Sequence, residues 1–416
     1  MAAGGGTTRV QRGTPPVALP RTGERTAVDS PASLLAALRP GRDALWSSPR
    51  GTVLAQGAAE RLDLPWTADL PGAVADRLRA VAAGGRGEPV VVGALPFRIG
   101  DTASLVRPEA LRRAPGRLSP SGPARAAQAV VHEQPAPSED AYRDAVRSAL
   151  DLLAAGALEK VVLARALDLR TEGPVDVRAL VAALARHDEE ARVFAVPLAP
   201  GAPARGDGAP GEPRVLVGAS PELLVSLTAG RVLATPLAGS TARSSDPVED
   251  AARARALLAS DKDRREHALV VEAMVRSLGP WCSELAVPDG PELVATPTVW
   301  HLATRLEGRT ADPSTTSLHL AGALHPTPAV GGTPSGAARS AIERLEPVPR
   351  GYYAGAVGWC DAAGDGEWAV TIRSGVVRGS AVRLHAGAGI VRGSDPDAEL
   401  AETTAKLALL RSALGA

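Results

Sequence analysis

Apolar positions along the chain follow two periods. Between Ser138 and Gly156 they recur at helical spacing: Tyr142, Val146, Leu150 and Leu153 share a face, Ser138 stands as N-cap with Glu139 and Asp140 behind it, and Gly156 closes the run. The next run, Lys160-Val-Val-Leu-Ala-Arg-Ala-Leu-Asp-Leu, predicts a strand with Lys160 at its mouth and Val162 and Ala164 below it on the same face. A helix at about 176–187, a strand over Arg192–Leu198 and short strands at 215–219, 223–228 and 231–235 follow. Two further helices are predicted, one after Asp246-Pro247 and one capped by Ser260, with Asp263 in capping-box position and Gly279 at its end. The last third predicts strands over Tyr353–Cys360, Glu367–Arg378 and Ala381–Ala386, arranged as a meander. A final helix is capped by Ser394 and Asp397, with Pro396 near its first turn.

Before Ser138 the pattern is weaker. Pro89–Leu95 reads as a buried strand, residues 1–28 as a disordered tail, and the Pro/Arg/Ser-rich stretch 107–137 as a loop or connector. The segment 199–214 reads as a Gly/Pro-rich loop. No repeat is visible and no break between 138 and 416 marks a boundary, so 29–416 is read as one domain. Pattern alone supports a mixed α/β (α+β) fold with a strand-rich C-terminal third.

Composition narrows the function. The 416 residues carry 46 basic and 46 acidic side chains, which argues against nucleic-acid binding or membrane-surface binding through bulk positive charge. No apolar run approaches the roughly 20 residues needed to span a bilayer, and the first residues lack a secretory signal. Two cysteines, Cys282 and Cys360, are too few for a disulfide framework or zinc cluster and fit a reducing cytoplasm. The expected partner is a small molecule, and the protein a cytoplasmic monomer. Asn is absent and only three basic residues are lysine, Lys160, Lys262 and Lys406. In a chain where lysine has drifted to arginine, a surviving lysine is either a chance remnant or a place where a guanidinium, which stays charged at any working pH, cannot serve.

No Walker loop, HExxH, GxSxG or Cys/His metal spacing occurs. Gly387-Ala388-Gly389 starts like a dinucleotide fingerprint, but Arg392 takes the place of the third glycine. It reads instead as a tight strand-to-helix turn able to offer amides to an anion. On the final helix Glu399, Glu402 and Lys406 share a face, and Glu266 and His267 lie mid-helix after Ser260. Spacing alone allows solvated salt bridges. Against that account stands the final helix, where carboxylates precede an apolar run rather than alternating with arginines, and both readings stay open at this point.

Ordered blocks carry a stronger signal: EKVVLARAL at 159–167, VGASPELLVSL at 217–227, TPLAGSTARS at 235–244, SDKDRREHALVVEAM at 260–274, TPTVWHLATRLEGR at 296–309, LHPTPAVGGTP at 324–334, and most of 351–410. Together they resemble the chorismate-utilising enzymes, among them isochorismate, salicylate, anthranilate and aminodeoxychorismate synthases. The resemblance covers about 138–416 and is nearest to siderophore-type isochorismate synthases. It implies a single large domain of two facing, mostly antiparallel sheets with helices outside.

The same resemblance implies a Mg²⁺ site at Glu266 and Glu402, with Glu399 contributing through water. Arg373 and the backbone at Gly387 would hold the enolpyruvyl carboxylate, and Lys406 would add positive charge. Lys160 resembles the general base that activates water for attack on ring C2. Glu222 resembles the acid that protonates the departing C4 hydroxyl, a pairing that needs a neutral lysine and a protonated glutamate. Gly239 and Ser240 would line the pocket, and His301 would lie near the leaving hydroxyl. Lys160 favours water over ammonia as nucleophile, and Ala238 stands where aminodeoxychorismate synthases carry a nucleophilic lysine. The implied activity is conversion of chorismate to isochorismate, feeding siderophore or menaquinone biosynthesis. The rivals are a salicylate synthase, which goes on to eliminate pyruvate, and a non-catalytic chorismate-binding relative.

Overall fold

The computed structural model describes residues 29–85, 87–120, 129–199, 212–296 and 299–415. The tail expected at 1–28 and most of the 199–214 loop lie outside the described residues. Short buried strands joined by tight turns zip into hairpins, such as Ala44–Ser48 with Gly51–Gln56 and Ala356–Asp361 with Gly366–Val370. Every strand pairing among the described residues is antiparallel.

A ten-stranded sheet runs from Gly332–Thr333 through Lys160–Thr171, Ala381–Ile390, Ser374–Arg378, Val215–Ser220 and Arg192–Pro197 to Ala44–Ser48, Gly51–Gln56 and Ala110–Ala114. Val130–Ala136 also pairs with Lys160–Thr171. A nine-stranded sheet runs from Cys282–Ala286 through Leu306–Thr310, Arg231–Ala234, Leu223–Thr228, Gly366–Val370 and Ala356–Asp361 to Val90–Leu95, Ser104–Arg107 and Glu60–Leu62. The two face each other across an apolar layer in which Trp46, Phe194 and Leu216 meet Val92, Val357 and Ala369. Glu367, buried in this layer, accepts from Trp46 Nε1 (3.2 Å) and Ser48 Oγ (2.8 Å) and so bonds one sheet to the other. Helices Pro31–Ala37, Val177–His187 and Pro396–Leu414 cover the ten-stranded sheet, and Leu70–Ala83, Asp261–Leu278 and Ser317–Leu324 pack with the nine-stranded one. The expected architecture is met, with the addition of a three-stranded sheet of Leu237–Ala242, Val299–Ala303 and Glu292–Ala295. None of the described helices is long and apolar enough to cross a membrane.

Three expectations are corrected. The 107–137 stretch is not simply a connector, because Ala110–Ala114 and Val130–Ala136 are edge strands, where arginines and Pro135 are tolerated since one side needs no ladder partner. Asp395, not Ser394, caps the last helix by accepting from the amides of Asp397 and Ala398, while Ser394 Oγ accepts from Val391 N.

The third correction shapes the site. Glu367–Arg378 is not one strand of a meander: Gly366–Val370 ends in the nine-stranded sheet, Ser374–Arg378 begins in the ten-stranded one, and the chain crosses over Thr371-Ile372-Arg373. Val215–Ser220 and Leu223–Thr228 make the reverse change, from the ten-stranded to the nine-stranded sheet, over Pro221-Glu222. The crossings lie side by side. Ala219 N donates to Arg373 O and Val370 N donates to Glu222 O, each at 3.1 Å.

Candidate active site

Where these crossings meet the mouth of the Lys160–Thr171 strand, one pocket gathers every site residue expected from sequence: Lys160, Glu222, Gly239, Ser240, Glu266, His301, Arg373, Gly387, Glu399, Glu402 and Lys406. Lys160 is 1% exposed, and its Nζ donates to Glu266 Oε1 at 2.7 Å from the Asp261–Leu278 helix. Beneath them runs the Ala381–Ile390 strand. A Cβ on Gly389 would come within 3.2 Å of Lys160 Cε and 3.3 Å of Glu266 Oε1, and one on Gly387 within 3.0 Å of the Tyr353 hydroxyl. Gly387 and Gly389 are therefore strand glycines that make a flat floor, not the strand-to-helix turn expected.

Lys406 Nζ donates to Gly387 O (2.9 Å) and pairs with Glu402 Oε1 (2.6 Å), one turn back on the same helix. Arg373 holds φ at 51°, a left-handed conformation that disfavours a residue with a Cβ and stores strain at the sheet crossing. Its Nη1 donates to Lys406 O at 3.4 Å. Opposite, the strand register slips between Ala238 and Ser240, where Gly239 takes φ 78°. A Cβ there would also crowd Asp263 Cβ at 3.2 Å. The buried ring of His267 fixes this bulge, with Nδ1 3.2 Å from Ala238 O and Nε2 2.7 Å from Thr304 Oγ1.

Burial and charge pull the titratable groups apart. Burial pushes the Glu222 carboxyl up to about 7, against a hydrogen bond from the Leu237 backbone and the charges of Lys160 and Lys406. Burial also raises Glu399, with the Glu402 charge adding to it against a hydrogen bond from Ser394. At Glu266 burial is outweighed by the Lys160 ion pair, with help from Lys262 and Lys406, and the carboxyl lies below its usual range. His301, held down to about 3 by burial and the Arg373 and Lys406 charges, is neutral, and its buried Nε2 has no hydrogen-bond partner among the described residues.

Glu266, Glu399 and Glu402 offer hard carboxylate oxygens from two helices to one cavity, the donor chemistry that suits Mg²⁺. They are not gathered into a cage: among the described residues no three His, Cys, Asp or Glu side chains converge closely enough to hold a metal ion directly. An ion that keeps several of its waters fits such spaced carboxylates.

Sequence reasoning missed part of the lining. Tyr353 and His385, stacked with ring centroids 5.3 Å apart and planes 16° apart, form one wall, and Asp263 borders the bulge. No spacing rule links these positions. Lys262 also lines the pocket, so all three lysines of the chain meet there.

Comparison with known proteins identifies the family. The sequence profile of the chorismate binding enzymes matches residues 107–415. The chain is 43% identical over 377 residues to isochorismate synthase DhbC of Bacillus subtilis (strain 168), a match covering 89% of this chain and 92% of that protein. It is 41% identical over 331 residues to isochorismate synthase EntC of Escherichia coli (strain K12), covering 79% and 81%. The structure of MenF, the menaquinone-specific isochorismate synthase of Escherichia coli, superimposes with a TM-score of 0.78 at 27% identity over 94% of this chain and 92% of that one. Profile, identity and architecture agree, and the chain belongs to the chorismate binding enzyme family.

Proposed function

We propose that this protein is a Mg²⁺-dependent isochorismate synthase, adding water at ring C2 of chorismate and expelling the C4 hydroxyl. The observation that carries the reading is the convergence of a buried lysine, Lys160, and a buried carboxyl held near neutrality, Glu222, on one cavity.

Lys160 takes the proton of the attacking water as the C2–O bond forms. The ring double bonds shift, the C4–O bond breaks, and Glu222 delivers its proton so that the hydroxyl leaves as water. One water is consumed and one released, so the net reaction is an isomerisation. His301, with its unpartnered Nε2, lies by the leaving hydroxyl. Arg373, Lys406 and the Gly387 backbone hold the enolpyruvyl carboxylate, for which the planar guanidinium is a bidentate match. Gly239 and Ser240 line the ring pocket, the glycine leaving room that a side chain would fill. Glu266 and Glu402 would hold the metal, Glu399 through water. Mg²⁺, when bound, supplies a positive anchor for the ring carboxylate.

Charge supports that assignment. With Glu222 protonated and Lys160 neutral, as the proposed acid and base require, Asp263, Glu266, Glu399 and Glu402 face Lys262, Arg373 and Lys406, which leaves the lining one charge negative. A divalent cation makes it one charge positive, which attracts a dicarboxylate. The test is product analysis after incubation with chorismate and Mg²⁺. Isochorismate as sole product is expected; salicylate with pyruvate, or no turnover, overturns the reading.

A further inference from the structure

Lys262 is the one lysine that the proposed chemistry leaves without a task. It lies in the first turn of the Asp261–Leu278 helix, where the helix dipole disfavours a cation, yet it is exposed and lines the pocket, which places it at the rim. Its neighbour one turn on, Glu266, is the natural partner for it along the helix, but Glu266 Oε1 is already held by Lys160 at 2.7 Å. The Lys262 ammonium makes no hydrogen bond or ion pair among the described residues. Its charge still reaches the cavity, since it contributes to lowering the carboxyls of Glu266 and Glu399.

The residue type is informative. Almost every other cation of this chain is arginine. A guanidinium at 262 would fork onto the carboxylates of Asp263, Glu266 or Glu399, whereas an ammonium is a strongly hydrated point charge that can stay uncommitted.

We propose that Lys262 is a capture residue, an unpaired rim ammonium that draws a dicarboxylate towards Arg373 and Lys406, and that it is lysine because arginine would bridge the carboxylates of the site. The dicarboxylate character of the ligand rests on the isochorismate synthase reading.

The test compares wild type, Lys262→Met and Lys262→Arg in chorismate turnover at low and high salt, and in calorimetric Mg²⁺ binding without substrate. Lys262→Met should lose about tenfold in kcat/KM at low salt with kcat nearly unchanged. The deficit should close at high salt, as the Debye length falls from about 30 Å at 0.01 M to about 3 Å at 1 M. Lys262→Arg should bind Mg²⁺ severalfold more weakly than wild type, and Lys262→Met should not. An unchanged kcat/KM, a deficit that persists at high salt, or a kcat that falls with kcat/KM overturns the capture role; wild-type Mg²⁺ affinity in Lys262→Arg overturns the reason for lysine. Failure of the parent reading looks different, because wild type itself would then form no isochorismate.

Discussion

Lys160 Nζ lies 2.7 Å from Glu266 Oε1, and the two side chains are only 2% and 16% exposed. Glu266 is therefore the counter-ion of Lys160 in the resting site as well as a proposed metal ligand, and Lys160 gives up its proton before it can act as base. Removing one member of a buried pair leaves the other uncompensated, which costs about 3–5 kcal/mol. Glu266→Gln should accordingly lower stability by that order in urea unfolding. An unfolding midpoint equal to wild type would contradict this role.

Glu222 should set the alkaline limb of the pH profile. As a general acid it works only while protonated, so kcat/KM should fall as pH rises above about 7. Glu222→Gln keeps the shape but has no proton to transfer, and kcat should drop on the order of 10² to 10⁴-fold with little change in substrate binding.

The same shift makes a stability prediction. The folded carboxyl titrates near 7 against an ordinary value of 4.5, so the folded protein holds its proton longer than the unfolded chain does. This contribution is fully present below about pH 4.5 and is lost as pH rises towards 7, amounting to roughly 3 kcal/mol. Glu222→Gln escapes that loss. Its stability relative to wild type should rise across this window in parallel thermal melts; a flat or falling difference would contradict the burial argument.

Lys160→Arg preserves the charge facing Glu266 but cannot deprotonate. It should lose activity about as severely as Lys160→Ala, on the order of 10² to 10⁴-fold. Near-normal turnover by Lys160→Arg would reduce Lys160 to a charge that anchors the strand mouth.

Chelation with EDTA should abolish turnover, and added Mg²⁺ should restore it. Glu402→Gln should weaken Mg²⁺ binding in calorimetry with little effect on unfolding, because the Glu402 side chain is 40% exposed and its partner Lys406 is not fully buried. Full activity in metal-free buffer would remove the metal from the account.

The candidate site residues could be named from sequence because the ordered blocks between 159 and 410 resemble the chorismate-utilising enzymes; spacing alone left the shared face of Glu399, Glu402 and Lys406 readable as solvated salt bridges. The scarcity of lysine marked Lys160, Lys262 and Lys406 before any contact was known. That the chain changes sheets at Glu222 and Arg373 was not legible: the break at Pro221-Glu222 reads as an ordinary turn between two strands, and 367–378 reads as a single strand. Arg373 adopts φ 51° without the glycine that would have signalled a left-handed residue. Ala110–Ala114 and Val130–Ala136 escaped because edge strands accept the arginine and proline that elsewhere read as loop. Tyr353 is placed by stacking on His385, a contact between distant segments that no local pattern encodes.

The central claim is that Lys160 and Glu222 exchange one hydroxyl for another across the ring, using solvent water as the nucleophile. Mass spectrometry of the product formed from chorismate and Mg²⁺ in heavy-oxygen water tests it most directly. The account predicts isochorismate carrying one solvent-derived oxygen, at C2, with the enolpyruvyl group retained. Unlabelled isochorismate, or a product that has lost pyruvate, would contradict it.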